Sequence, residues 1–186
     1  MRKKFFLAAV GIVVLAGLDR TTVASSDFDG LRLRTNLRGF QEVPSVSTVA
    51  RGSFRALVSE NGNSIDWTLS YRDLEAAVQQ AHIHFGQTRV NGGITVFLCT
   101  NLGNGPVGIQ ACPESPATIT GTITAADVSP NIDATAGARA QGLGTGEFAE
   151  LIRAIRSGNT YANVHSAAFP GGEVRGQIRA HDDHDD

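Results

Sequence analysis

Residues 31–38 alternate without a break, with Leu31, Leu33, Thr35 and Leu37 set against Arg32, Arg34, Asn36 and Arg38. A period of two puts every second side chain on the same side of an extended backbone, so this segment predicts a strand with one apolar and one cationic face. The pattern recurs along the chain. Gly52 to Ser59 reads as a second strand, and 64–71 sets Ile65, Trp67, Leu69 and Tyr71 against Asp66, Thr68 and Ser70. Asn61-Gly62 between them is a strong hairpin signal. Further strands are predicted over 78–85, 94–98, 117–125, 160–166 and 173–179, with Asn91-Gly92-Gly93 as a turn and glycines spread throughout. One segment departs from this. Phe148, Leu151, Ile152 and Ile155 stand at i, i+3, i+4 and i+7, which predicts a helix over 147–156 with Thr145 as its cap and Gly158 as its stop. About eight strands and one short helix in one domain predict a mainly β fold, an antiparallel, Greek-key-like β-sandwich or barrel.

The N-terminus carries a different signal. Arg2, Lys3 and Lys4 precede an apolar run from Phe5 to Leu18, and small residues follow from Val23 to Ser26. Residues 1–24 therefore read as a signal peptide; the run is shorter than the roughly twenty residues that span a bilayer. An uncleaved N-terminal anchor is the alternative. The segment holds four cations and one acid, so its removal takes the net charge from −2 to about −5 and leaves arginine as the only basic side chain apart from histidine. With no basic excess, nucleic acid is excluded as the partner class. No transmembrane segment remains after cleavage, and no cysteine lies near the signal for a lipid anchor. The expected destination is the periplasm, the cell surface or the medium. The last six residues, His-Asp-Asp-His-Asp-Asp over 181–186, have nothing apolar to bury and predict a disordered, solvated tail.

Export bears on the cysteines. Cys99 and Cys112 are an even pair in a chain bound for an oxidising compartment, which predicts a disulfide. Closing the Gly-rich loop between them stabilises the fold by roughly 3 kcal/mol on the chain-entropy model.

His82 and His84 stand two apart on the predicted strand 78–85, so both imidazoles point the same way. His165, on the strand 160–166, shares a face with Tyr161 and Asn163. If the two strands are neighbours, three ring nitrogens converge, a set that suits copper first and zinc second. The alternative is that these histidines only satisfy polar groups in a crevice. Glu42 and Glu173 are candidates for a fourth ligand or for a group that orients a ligand imidazole; pairing with an arginine such as Arg175 is the structural reading of both. The nucleophile elbow, P-loop and dinucleotide fingerprint are absent.

Four blocks in order, Leu37-Arg38-Gly39-Phe40-Gln41-Glu42-Val43-Pro44, Ala81-His82-Ile83-His84-Phe85-Gly86, Gly158-Asn159-Thr160-Tyr161-Ala162-Asn163-Val164-His165 and Pro170-Gly171-Gly172-Glu173-Val174-Arg175-Gly176-Gln177, resemble the CHRD domain over about residues 31–180. That resemblance implies an extracellular module of the chordin type, also found in exported bacterial proteins, and no assigned activity. The His-Ile-His-Phe-Gly block followed by Cys99 is also similar to the copper-ligand strand of the copper/zinc superoxide dismutases, with Arg175 or Arg179 as the counterpart of their active-site arginine. The bridging histidine and zinc cluster of those enzymes have no counterpart here. The reading carried forward is a non-catalytic exported binding module holding one copper or zinc ion through His82, His84 and His165. Its alternatives are a copper-dependent dismutase-like enzyme and a metal-free structural or adhesion module with an extracellular protein or cell-surface partner.

Overall fold

The computed structural model describes residues 30–181, so the predicted signal segment and the tail from Asp182 onward lie outside the described residues. Nine strands form one antiparallel sheet: β1 Arg32–Arg38, β2 Arg51–Val58, β3 Ile65–Arg72, β4 Val78–Phe85, β5 Gly93–Thr100, β6 Ala117–Ile123, β7 Thr160–Ser166, β8 Val174–Gln177 and β9 Arg179–His181. Their order is β5-β4-β7-β8-β1-β2-β3-β6, with β9 pairing β1. This sheet curls into a nearly closed barrel, so of the two architectures expected the barrel is the one adopted. Its two edges, β5 and β6, are bridged by one side chain. The Gln110 amide donates to Leu98 O on β5 (3.2 Å) and to Thr120 O on β6 (3.1 Å), satisfying carbonyls an open edge would leave bare. The loop that delivers Gln110 is tied at Cys112 by a disulfide to Cys99.

The alternation seen in the sequence sorts the two faces of the wall. Leu33, Leu37, Phe54, Trp67, Leu69, Ile83, Val164 and Val174 point inward and are buried. α2, Phe148–Arg156, lays Leu151, Ile152 and Ile155 onto the same core. Three expectations are corrected. Thr145 is not the cap of α2: Glu147 holds that position, and the Thr145 hydroxyl donates to Ser129 O instead (2.7 Å). The predicted strand 173–179 is two strands, because the pairing with β7 ends at buried Ile178. β8 lies between β7 and β1, meeting β1 at Arg38↔Arg175, whereas β9 pairs β1 in the register Arg32↔His181. His181 therefore ends a strand rather than opening the tail. A short helix, α1 (Ala136–Ala140), is additional. It presses so close to β5 that a Cβ on Gly93 would lie 2.0 Å from Ala138 N.

Candidate metal centre

β4 and β7 are direct neighbours, paired Gln80↔His165, His82↔Asn163 and His84↔Tyr161. Residues opposite one another in an antiparallel pair share a face, and diagonal neighbours are within reach of long side chains. His165 thus sits diagonally across from His82, with ring centroids 5.1 Å apart; His82 and His84 are separated by 5.4 Å. The β4–β5 pairing slips on either side of this stretch, between Ala81 and His82 and between Ile83 and His84. Such irregularities re-aim side chains. The result is that one coordinating nitrogen from each of His82, His84 and His165 lies within 4.8 Å of the others. All three rings are buried.

They lie on the outer side of the wall, away from the apolar core, and loops cover them. Two backbone carbonyls set their tautomers. A carbonyl oxygen can only accept, so His84 Nδ1 donates to Gly92 O (2.9 Å) and His165 Nδ1 donates to Pro170 O (2.9 Å). Each ring then presents a bare Nε2 lone pair, and neither Nε2 has a hydrogen-bond partner; on His82 neither nitrogen has one. A buried polar atom left unpaired costs about 1–3 kcal/mol. Three of these four nitrogens, one from each ring, could be satisfied together by a single cation. Burial, above all, holds the rings neutral: His84 is pushed down to about 3, His82 well below its usual range and His165 lower than usual. Neutral imidazole is the ligating form.

The surroundings brace this cluster. Tyr161 stacks flat on His84, with centroids 4.7 Å apart and planes 4° from parallel, and the Arg175 guanidinium carbon lies 3.3 Å from the Tyr161 ring centroid. Arg175 is itself buried, donating to Val90 O, Gln87 O and Asn91 Oδ1. Gly92 serves twice, since its N–H also donates to the Tyr161 hydroxyl (3.3 Å). A Cβ there would fall 1.8 Å from Phe85 O, so no other residue fits.

The two carboxylates stand apart from the three nitrogens. Neither Glu42 nor Glu173 belongs to the close set of ligand atoms. Glu173 Oε1 accepts from Thr48 Oγ1 (2.9 Å) and Glu75 N (3.0 Å), clamping two loops. Glu42 is buried beside Gly172, where a Cβ would come within 2.5 Å of its Oε1. Burial raises its carboxyl to about 7 against the opposing pull of Arg175 and Asn163. Sequence reasoning missed Gly92, Pro170 and the Arg175–Tyr161–His84 stack. The only signals for them were the Asn91-Gly92-Gly93 turn and the shared face of Tyr161 and His165.

The family model of the CHRD domain matches residues 33–178. The chain belongs to the CHRD-domain family. Comparison of this CHRD domain with curated proteins and with solved structures gives no match. All four blocks that carried the resemblance fall within the matched span, and three of them supply the centre: His82 and His84 from one, Tyr161 and His165 from the next, and Pro170 and Arg175 from the last. Among the described residues, no helix is long and apolar enough to cross a membrane.

Proposed function

We propose that this CHRD domain is an exported module that holds one transition-metal ion, copper ahead of zinc, through His84 Nε2, His165 Nε2 and one ring nitrogen of His82. The observation that carries the proposal is the pairing pattern of the rings. The outward nitrogens of His84 and His165 are locked to backbone carbonyls, and the convergent nitrogens have no partner. Histidines that merely satisfied a polar crevice would use those nitrogens. Three neutral nitrogens favour copper in the usual affinity order. Burial of all three rings supports holding an ion rather than turning over a substrate. Export is supported by the basic and apolar N-terminal segment and agrees with the disulfide.

The test is metal content by mass spectrometry on the untagged full-length precursor after export, with His184→Ser introduced to silence the tail. About one copper per chain is expected, falling below one tenth in His165→Ala, and the copper resonance of the loaded protein should carry nitrogen hyperfine structure. Sub-stoichiometric metal in the parent protein, or equal metal in His165→Ala, overturns the proposal.

A further inference from the structure

The outer face of the barrel is divided. Over β4, β7 and β8 it is roofed by loops and buries the histidines. Over β1, β2, β3 and β9 it is bare and carries Arg32, Arg34, Arg38, Arg51, Arg55, Arg72 and Arg179, half of the chain's fourteen arginines. Asp66 is the one acid among the outward positions of these four strands, in a chain whose net charge is −2.

The register makes the crowding worse. Arg34 lies directly opposite Arg55 on one side and Arg179 on the other, Arg38 opposite Arg51, and Arg51 opposite Arg72. Like charges placed directly across a strand pair destabilise a sheet. The fold does not require them, because the adjacent strand β6 fills its outward positions with Thr118, Thr120 and Thr122. Among the described residues, Arg34, Arg38, Arg55 and Arg179 form no ion pair and donate no side-chain hydrogen bond.

The face is grooved. A hollow of about 530 Å³ has Arg38, Arg51, Arg72, Asn36 and Ser70 in its walls. Another, of about 730 Å³, has Arg34, Arg38, Arg55, Arg179, Asn36 and Gln41. They share Asn36 and Arg38, so together they follow β1, a track roughly 20–24 Å long at the usual rise per residue.

We infer that this track binds a linear anionic polysaccharide bearing carboxylate or sulfate groups. Guanidinium forks grip such planar or tetrahedral oxyanions with two parallel hydrogen bonds. Asn36, Gln41, Ser53 and Ser70 between the arginines offer partners for hydroxyl groups. A membrane surface fits less well, because Leu57 is the only apolar side chain among the outward positions, and interfacial binding draws on buried apolar area.

Calorimetric titration of the full-length protein with an oligo-uronate and with a sulfated dextran, near physiological salt, tests this and separates carboxylate from sulfate recognition. Micromolar binding to at least one is expected. The double variant Arg34→Ser, Arg55→Ser should weaken it tenfold or more, and Arg153→Ser on α2 should change it less than twofold. Thermal unfolding of the double variant guards against a folding artefact: relieved of like-charge neighbours, it should melt no lower than the parent. Failure to bind either polymer, binding that survives the double substitution, or tighter arginine-dependent binding to single-stranded DNA or to anionic vesicles overturns the inference.

Discussion

His82, His84 and His165 each protonate near pH 6.5 in an unfolded chain, but burial penalises the charged ring in the fold and lowers all three, His82 and His84 well below that value. Below pH 6.5 the unfolded state therefore binds more protons than the native one, and native stability must fall as pH falls. Glu42 works in the opposite sense. Its carboxyl rises from 4.5 to about 7 on burial, so its contribution is present below pH 4.5 and is lost as pH rises through 7. Three rings outweigh one carboxyl. Urea titrations of metal-free protein should show stability climbing from pH 4.5 to about 6.5 and then levelling or dipping, with Glu42→Gln removing the dip. A flat profile from 4.5 to 6.5 would mean that the rings are not held neutral. At this scale the sequence disclosed the three converging histidines through residue type and spacing. It could not disclose Gly92 and Pro170 as their anchors, because a carbonyl acceptor belongs to every residue and leaves no mark on side-chain pattern.

Elements were legible where period two or period 3.6 ran long enough. β4 and β7 match their predicted bounds, and α2 begins one residue later than expected. α1, with five residues and Gly137 inside it, is too short for a period to register. The split of β8 from β9 was hidden because the alternation stays apolar through Ile178 while the pairing with β7 ends there. The bridge between the barrel's edges was equally hidden, since it is made by one polar side chain in a loop. Gln110→Ala should remove both edge-bridging bonds and lower stability by about 1–3 kcal/mol, read by chemical denaturation, and amide exchange along β5 and β6 should quicken. Unchanged stability would mean that the edges need no bridge.

For the whole molecule, the outer surface sets a stability question that the core does not answer. With arginines opposite on both sides, Arg34 is under repulsion, so Arg34→Thr should raise the melting temperature at low ionic strength, by the equivalent of several tenths of a kcal/mol. The gain should close near 1 M salt, where the screening length is about 3 Å; a gain that persists there would have to come from strand propensity. The neighbour relation of β4 and β7 has a consequence in time. His82 and His84 come together on one strand as soon as it extends, whereas His165, far along the chain, reaches them only when β7 has slotted between β4 and β8. A half-folded chain thus offers a passing ion a loose two-toothed grip from which it can drop away. The firm grip exists only in the finished barrel, so any ion the centre retains acts as a seal on completed folding and not as a scaffold for it.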